Sequence, residues 1–362
     1  MSSAASHRVV VSRHGGPEVL QLVDDRRPEP AWGMARVRVL AAGVSGFDLI
    51  YRRWGRLPGS PTLPFSPGED VVGVVDAVGP GVSALRTGQV VAGGTWTLGV
   101  GGGYTEYLCL PEPELVPVPD GVDAAEAVCL VVNYLTAHQH LHGIGQARCG
   151  QRLLVHGAAG GVGTALLDLG RLAGMEMYGT ASASGHDVVD ALGATPIDYR
   201  TEDVPARIRE LTGTGVDLVV DVVGGARHLA QSYRVLRRDG RLVWLGSAAV
   251  AKHGLAIGLS SMLMSSSLRM IPDGKHVPRC PTLDKHAAAH PGWYRDTLSE
   301  LLGLLATGRL TPKVAARVPL AEASRAHALL ERGGHAGKFV LVTEGYEQPD
   351  PAGPPARSTP EH

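Results

Sequence analysis

The chain has 362 residues, 44% hydrophobic and 19% charged, which is enough for two globular domains with separate cores. Its 34 basic and 35 acidic side chains give a formal net charge of -1, so no strong field would attract nucleic acid or an anionic membrane. No apolar run reaches the roughly 18 to 20 residues of a spanning helix, and the opening residues lack a signal-peptide pattern. We therefore expect a cytoplasmic protein that acts on a small molecule.

The first third of the chain is predicted to be rich in β-strands. From about residue 8 to residue 120, short β-branched runs are broken by glycine and proline. After Asp123 the apolar spacing becomes helical. From Arg152 onward, predicted strands and helices alternate, which is typical of a doubly wound parallel sheet.

The last part of the chain is expected to return to the first domain, because it again carries strand patterns after a helix. The predicted β-rich domain is therefore discontinuous, formed by residues 1–125 and 310–345. Residues 126–309 form the predicted α/β domain. The proline-rich polar end, 346–362, is predicted to be a disordered tail.

Residues 153–163 combine a hydrophobic strand, a glycine turn and a helix start, and they fit the dinucleotide-binding fingerprint. Small residues are needed in such a turn because the backbone must approach a pyrophosphate closely. A purely structural strand–helix turn is the alternative. The alternation of elements around the turn favours a nucleotide, and its predicted contacts are Ala158, Gly160, Gly161, Val162 and Gly163.

The second predicted strand of this sheet ends at residues 178–182 without an acidic side chain. An NAD enzyme of this type carries an aspartate or glutamate there for the ribose 2'-hydroxyl. The missing carboxylate removes a repulsion toward a 2'-phosphate and favours NADPH, although each nearby polar residue alone is also typical of a solvated loop. The candidate phosphate contacts are Ser182, Ser184, His186, Tyr199 and Arg200, and Thr180 is a further candidate cofactor contact.

Neither the cysteines nor the histidines follow a metal-ligand pattern. His138, His140 and His142 lie at positions i, i+2 and i+4, so only His138 and His142 would share a helix face. The chain has four widely spaced cysteines, interpreted as free and mostly buried thiols: Cys109, Cys129, Cys149 and Cys280. We expect no metal.

Ordered motifs over nearly the whole chain resemble the quinone oxidoreductase branch of the medium-chain dehydrogenase/reductase superfamily, especially its VAT-1-like subgroup. The resemblance implies a GroES-like catalytic domain, a Rossmann domain, a cleft that holds NADPH, and a homodimer. The motifs include AAGVSGFDLIYR (41–52), LPFSPGEDVVGVVDAVGPGVSALRTGQVV (63–91), VVNYLTAHQHL (131–141), LVHGAAGGVG (154–163), GATPIDYRTED (193–203) and GKFVLV (337–342).

The resemblance also implies cofactor roles for individual residues. Thr136 matches the threonine beside the nicotinamide, and Gly246 and Ser247 match the turn that lies along it. Tyr199 matches a residue near the 2'-phosphate, and Lys338 matches a basic residue near the cofactor. Local alternatives are a helix-backbone contact for Thr136 and a surface charge for Lys338.

Two positions depart from the family pattern. Gly185 replaces the family's lysine for the 2'-phosphate, so Ser182 and His186 would carry more of that contact. Ser45 replaces the asparagine typical of quinone reductases.

Zinc alcohol dehydrogenases of the same superfamily carry catalytic ligands at three places. Here those places hold Ser45, the run Pro67-Gly68-Glu69, and the aliphatic pair Val131 and Val132. The resemblance therefore implies a zinc-independent enzyme.

Without a Lewis acid, the expected reaction is hydride transfer from NADPH to a carbon activated by conjugation, as in quinones and enones. The resemblance places Ser45, Tyr51, Tyr104 and Asn133 on segments that line the cleft. We predict that Tyr51 donates a hydrogen bond, that Ser45 and Asn133 orient the substrate, and that Asp48 is structural.

A second hypothesis is a nucleotide-binding member of this fold with a non-redox or regulatory role, because fold and function separate readily. The methionine- and serine-rich segment 255–280 is predicted to line either the substrate pocket or a dimer contact.

Overall fold

The computed structural model describes residues 5–55, 60–96, 102–245 and 247–348. Its strands are β1 Ala5–Val11, β2 Leu20–Arg26, β3 Met34–Gly43, β4 Asp70–Val78, β5 Val90–Gly94, β6 Tyr107–Pro111, β7 Leu115–Pro117, β8 Arg152–His156, β9 Glu176–Ala181, β10 Ala194–Asp198, β11 Val216–Asp221, β12 Leu236–Trp244, β13 Val314–Pro319 and β14 Lys338–Val342.

The α-helices are α1 Gly46–Trp54, α2 Ala124–Cys129, α3 Leu135–His138, α4 Gly161–Leu172, α5 His186–Ala191, α6 Val204–Thr212, α7 Ala226–Arg234, α8 Ser247–His253, α9 Leu255–Arg269, α10 Leu283–Ala289, α11 Pro291–Ala306 and α12 Ala323–Arg332. Two π-helical segments, Leu130–Tyr134 and Gln139–Ile144, follow α2 and α3. Short 3-10 turns cover Pro17–Val19, Glu112–Glu114, Ala183–Gly185 and Leu320–Glu322.

Strands from both ends of the chain share one mostly antiparallel sheet. Its order is β13-β14-β3-β4-β5-β7, and β6 pairs with β3. The strand β3 is long enough to pair with three other strands. One of its edges pairs with β4, and the opposite edge pairs first with β6 and further along with β14. β1 and β2 form a separate antiparallel pair.

The second sheet has the order β10-β9-β8-β11-β12, and all of its pairs are parallel. β8 lies in the middle, so the turn after it opens where the strand order reverses, which is the usual ligand position in such sheets. The predicted combination of a Rossmann sheet and a GroES-like β-rich domain is confirmed.

The two sheets pack against one core. Ala41 and Val72 of the first sheet belong to the same buried apolar cluster as Val155 of the second and Leu166 of α4. The helical residues between Asp123 and Ile144 also contribute buried side chains to this cluster. The two domains therefore meet through a continuous apolar contact.

Some element limits differ from the sequence-based expectations. The run LAQSYRVLR (229–237) predicts a helix from its sequence, but α7 ends at Arg234 and Leu236 starts β12, because the buried Leu236 side chain belongs to the sheet core. The predicted tail also starts too early. Tyr346 is hydrogen-bonded to Asp123 at 2.9 Å, whereas residues 349–362 lie outside the described part.

None of the helices in the described ranges is both long and apolar enough to cross a membrane.

Asp168 of α4 joins three parts of the chain and generates a stability prediction. Its buried carboxylate accepts hydrogen bonds from the Tyr134 hydroxyl at 2.8 Å, the Thr311 amide at 2.8 Å and Arg171 at 2.7 Å. Asp168→Ala leaves buried donors without an acceptor, which costs about 1–3 kcal/mol per group. We expect a clear fall in the midpoint of urea unfolding, with Asp190→Ala on the exposed side of α5 as the control. Equal midpoints for the two variants would contradict this role.

Candidate active site

Two glycines shape the turn after β8. Gly157 has φ +75°, a left-handed conformation that favours glycine. A Cβ at Gly163 would overlap the Gly157 carbonyl oxygen, so this position must also be glycine. α4 begins at Gly161, and no side chain in the described part of the chain caps its N-terminus. These amides and the positive end of the helix fit a pyrophosphate.

The last strand of the first sheet closes over this turn. Gly160 forms a β-bridge with Gly337, whose amide donates to the Ala159 carbonyl at 2.9 Å. The next residue, Lys338, is buried, and its Nζ contacts Asp70 Oδ2 at 2.7 Å. Lys338 is therefore an internal charge held beside the turn, and the surface alternative is wrong.

The π-helical segment brings Asn133 to the same place. Its Oδ1 lies 3.5 Å from Lys338 Nζ, and a Cβ at Gly161 would overlap its amide nitrogen. Thr136 is also buried, one turn further along. The structure thus places Asn133 and Lys338 together at the start of α4, where π-helical turns are often functional.

Thr180 of β9 is hydrogen-bonded to the turn after β8. Its hydroxyl oxygen lies 3.0 Å from His156 Nδ1 and accepts the Gly157 amide at 3.4 Å. Both side chains are buried. Thr180 therefore contacts the turn itself, which gives it a role in shaping the site.

Gly185 packs directly against the turn. A Cβ there would overlap the Cβ of Ala159, so a lysine in its place requires a shift of the backbone. Ser182 and Ser184 are hydrogen-bonded to each other at 3.1 Å, and His186 Nε2 is buried without a partner among the described residues. Ser182 and His186 flank the segment in which Gly185 contacts the turn, and their predicted contact with the cofactor phosphate stays a prediction.

A cavity of about 190 Å³ opens nearby, between the start of α6 and α7, and Tyr199 and His156 line it. The Nε2 atom of His156 is buried and lacks a partner in the described ranges. Burial lowers the pKa of His156 to about 4, so this ring is neutral. The cavity offers a neutral polar edge and a phenol to a ligand.

His228 lines the same cavity. Its Nδ1 lies 2.8 Å from Asp221 Oδ2, and the Ser232 hydroxyl donates to the same oxygen. Burial opposes ionisation of Asp221, but the hydrogen bond and charge of His228 hold its pKa below the usual range. The pKa of His228 is raised by this carboxylate against the effect of burial.

α1 starts at a capping box beside the turn. The Ser45 hydroxyl accepts the Asp48 amide at 3.2 Å, and Asp48 Oδ2 accepts the Ser45 amide at 2.7 Å. Asp48 Oδ1 also accepts the Gly68 amide at 2.8 Å. Asp48 is thus a structural acceptor, as the sequence predicted.

The Ser45 hydroxyl also lies 3.0 Å from Glu69 Oε2. Partial burial, which removes some of its water, and the nearby charge of Asp48 raise the pKa of Glu69 to about 8. Burial likewise raises the pKa of Asp48, to about 6. Of these three residues only Ser45 and Glu69 are partly exposed, so they form the open side of a polar cluster.

Tyr51 lies on α1 with its ring stacked on Phe47, at a centroid distance of 5.9 Å. The ring is half-buried. Burial raises the pKa of Tyr51, and the charges of Glu69 and Asp284 add to this. The phenol therefore stays protonated and can donate a hydrogen bond.

Tyr104 was expected to line the cleft, and that expectation is wrong. Its side chain is fully buried, and its hydroxyl bridges Asp48 Oδ2 at 3.4 Å and His327 Nε2 at 3.0 Å. Nearby Arg52 pairs with Glu331. Tyr104 belongs to an internal network behind α1.

Two predicted cofactor positions cannot be placed, because Gly246 and the side chain of Ser247 lie outside the described residues.

Within the described ranges, no group of three or more histidine, cysteine or acidic side chains could hold a metal ion. His138 and His142 share a helix face, as predicted, with ring centroids 4.9 Å apart. Only Cys129 of the four free cysteines is buried, so the expectation of mostly buried thiols is wrong.

Sequence reasoning missed Glu69, Asp70, Asp221 and His228 as parts of the site. The pair Glu69-Asp70 was detectable, since two acidic residues precede an otherwise apolar strand. Asp221 closes an apolar strand in the same way. His228 carried no signal, because only the packing of α7 brings it to β11.

Comparison with known proteins identifies the class. The family model described as "Alcohol dehydrogenase GroES-like domain" matches residues 32–120, and that described as "Zinc-binding dehydrogenase" matches residues 192–341. The chain is therefore built as a medium-chain dehydrogenase/reductase.

The relatives specify the branch. The rat synaptic vesicle membrane protein VAT-1 homolog is 33% identical over 87% of this chain and 78% of its own length. A quinone oxidoreductase of Pseudomonas aeruginosa is 34% identical over 92% of this chain and 99% of its own. The crystal structure of Escherichia coli quinone oxidoreductase, solved with NADPH, is 28% identical with a TM-score of 0.81 over 93% of this chain and 99% of that one. The chain belongs to the VAT-1-like quinone oxidoreductase branch of the superfamily and is an oxidoreductase.

Substitution of the turn glycines tests the dinucleotide site. Gly163→Ala places a methyl group on the Gly157 carbonyl and is expected to abolish binding of a reduced nicotinamide dinucleotide. In Gly161→Ala the added methyl group would contact the Asn133 side chain, which can move. This variant should therefore weaken cofactor binding less than Gly163→Ala does. Gly143→Ala meets nothing and is the matched control. Cofactor fluorescence titrations should rank the variants in this order; unchanged affinity in Gly163→Ala would refute the assignment.

Proposed function

We propose that this chain is a zinc-independent, NADPH-dependent reductase of quinones, enones or similar conjugated carbonyl compounds. The observation that carries the proposal is the glycine turn at 158–163, placed directly beside Asn133 and Lys338 and close to the polar group of Ser45, Glu69 and Tyr51. A dinucleotide site and a set of hydrogen-bond donors thus adjoin each other. This arrangement is what hydride transfer to a polar acceptor requires.

Each part of the site has a task in the proposed reaction. The turn and the start of α4 would hold the pyrophosphate, with Thr136, Gly246 and Ser247 along the nicotinamide, which supplies the hydride when bound. Tyr51 would donate a hydrogen bond to the substrate oxygen, and Ser45 and Asn133 would orient it. Donors placed where negative charge develops stabilise the transition state.

The proposal of zinc independence rests on ligand chemistry. Ser45 and Glu69 stand in two of the stretches where zinc members carry ligands, and here they are hydrogen-bonded to each other at 3.0 Å. The third stretch offers the aliphatic Val131 and Val132. A neutral hydroxyl and one carboxyl do not make the three-ligand set of a catalytic zinc site.

NADPH is proposed over NADH because β9 ends without a carboxylate, while the Tyr199 phenol and the Arg200 guanidinium stand together, 5.7 Å apart. Lys338, in contrast, is buried and paired with Asp70. The E. coli relative whose structure was solved with NADPH supports the same choice.

Turnover is the direct test of the proposed function. The purified protein should consume NADPH with 9,10-phenanthrenequinone, 1,4-benzoquinone or simple enones, and elemental analysis should find no stoichiometric zinc. NADPH binding without turnover on any acceptor would instead favour the non-redox, nucleotide-binding alternative.

Arg200 gives a prediction for cofactor preference. Arg200→Ala should raise the Kd for NADPH about tenfold or more, because a charge-assisted hydrogen bond to phosphate is lost. The Kd for NADH should not change, since that cofactor lacks the phosphate. Arg209→Ala, an exposed arginine on α6, serves as control. Equal losses for both cofactors in Arg200→Ala would contradict the assignment.

The predicted homodimer has a candidate contact in α9. Leu259, Met262 and Leu263 lie at i, i+3 and i+4 and are 61%, 61% and 63% exposed, an apolar face of the kind that marks interaction sites. We expect a dimer in light scattering at micromolar concentration and a monomer for the double variant Met262→Glu with Leu263→Glu. Leu22→Glu, an exposed leucine of the other domain, should remain dimeric. A monomeric wild-type protein would disprove the predicted dimer.

A further inference from the structure

Three carboxyl groups lie side by side at the start of α1 and β4, with one lysine among them. Asp70 is paired with Lys338 at 2.7 Å. Asp48 accepts hydrogen bonds from the Ser45 and Gly68 amides and from Tyr104. Of the cations that the structure describes, Lys338 is the one hydrogen-bonded to a carboxylate of this cluster, and buried Arg52 is paired with Glu331 instead. Among these residues one cation faces three carboxyl groups, so the cluster favours a proton on one of them.

The internal network decides that Asp48 is not the carboxyl that keeps the proton. Arg52 can only donate, so its contact with His327 Nδ1 at 3.2 Å makes that nitrogen the acceptor. The neutral His327 ring then carries its hydrogen on Nε2 and donates it to the Tyr104 oxygen at 3.0 Å. The Tyr104 hydroxyl in turn donates to Asp48. Asp48 is therefore fixed as an anionic acceptor.

Glu69 is the remaining carboxyl. In the described part of the chain its side chain has one hydrogen-bond partner, the Ser45 hydroxyl at 3.0 Å. Asp48 and Asp70 repel a charge on it, the Lys338 charge next to Asp70 only partly offsets this, and the raised pKa of Glu69 agrees with the geometry. Tyr51 is also close enough to feel the charge of Glu69, together with the charge of Asp284.

We propose that the carboxyl group of Glu69 holds a proton at neutral pH and delivers it, through the Ser45 hydroxyl, to the reduced substrate. This inference rests on the proposed function. It adds the proton source to the reaction, with Ser45 as the hydroxyl that passes the proton on.

Ser45 has the hydrogen-bonding capacity for this step. A serine hydroxyl has two acceptor positions and one donor hydrogen. One acceptor position takes the Asp48 amide at 3.2 Å. The Ser45 hydroxyl donates to Glu69 Oε2 at 3.0 Å when Glu69 is a carboxylate, and this hydrogen bond reverses when Glu69 is protonated and donates to the second acceptor position of Ser45. The Ser45 hydrogen is then directed to neither partner and can reach an oxygen in the cleft.

The proton balance closes without a further reactant. The nicotinamide cofactor, when bound, would supply the hydride for the electrophilic carbon, and the electron pair of the conjugated system would move to the carbonyl oxygen. The Ser45 O–H bond breaks as its proton goes to that oxygen, and the Glu69 O–H bond breaks as its proton replaces it on Ser45. Glu69 is left as a carboxylate and is reprotonated from water, because it is partly exposed.

The first experiment detects the proton without turnover. Infrared difference spectra of the full-length protein, recorded while the pH is raised from neutral, should show the loss of a protonated carboxyl band. The band should be absent from Glu69→Gln, which keeps the shape of the side chain. It should persist in Glu176→Gln, whose carboxyl pKa is lowered by Tyr178 and Arg152. A wild-type spectrum without this band overturns the proposal.

The second experiment measures delivery of the proton. Reduction of an enone depends more on proton delivery than reduction of a quinone, because the hydroquinone anion delocalises its charge better than an enolate does. Glu69→Gln should therefore lower kcat with a simple enone about a hundredfold. It should affect quinones less and leave the Kd for NADPH unchanged. The alkaline fall in the wild-type rate should vanish in this variant. Ser45→Ala should resemble it, and Ser45→Thr should restore the rate.

Equal losses for enones and quinones, or an unchanged alkaline fall in Glu69→Gln, would overturn the relay. A wild-type protein that binds NADPH but reduces no acceptor would overturn the proposed function and the delivery step together. The infrared band decides separately whether Glu69 holds a proton, so the two failures are distinguishable.

Discussion

The buried contact between Lys338 and Asp70 is the constraint on which the site depends. Burying two charges is costly unless they are paired closely and hydrogen-bonded, and here the distance is 2.7 Å with Asn133 as a further partner. The pair links β14 to β4 inside the first sheet. Because Gly337 precedes Lys338 and bridges to the turn of the second sheet, the ion pair also fixes where the dinucleotide turn meets the first domain.

The same ion pair sets the electrostatics of its neighbours. Because Lys338 is paired with Asp70, its positive charge only partly stabilises Glu69 as a carboxylate. Asp48 is stabilised by fixed donors instead, two backbone amides and the Tyr104 hydroxyl. The residues around Ser45 thus combine a structural anion with a carboxyl that favours its neutral form. A site with such neighbours can handle protons as well as orient a substrate.

Much of the architecture was predictable because it follows from local patterns. The strand, glycine turn and helix at 153–163 are contiguous, so their period and small residues predicted the turn and the start of α4 directly. Element limits failed where tertiary packing prevailed, as at Leu236, whose side chain enters the sheet core although its neighbours continue a helical pattern. Lys338 was located by resemblance, but its burial and its partner were not, since Asp70 lies 268 residues away.

The sequence by itself determined the order of strands and helices, the dinucleotide turn and the absence of an acidic residue after β9, because each is written in adjacent residues. Only the tertiary structure decided which side chains meet. It placed Tyr104 in an internal network behind α1, joined Ser45 to Glu69, and brought His228 to Asp221. These pairings depend on how distant segments pack, and hydrogen bonds and charges act over a few ångströms of space whatever the separation along the chain.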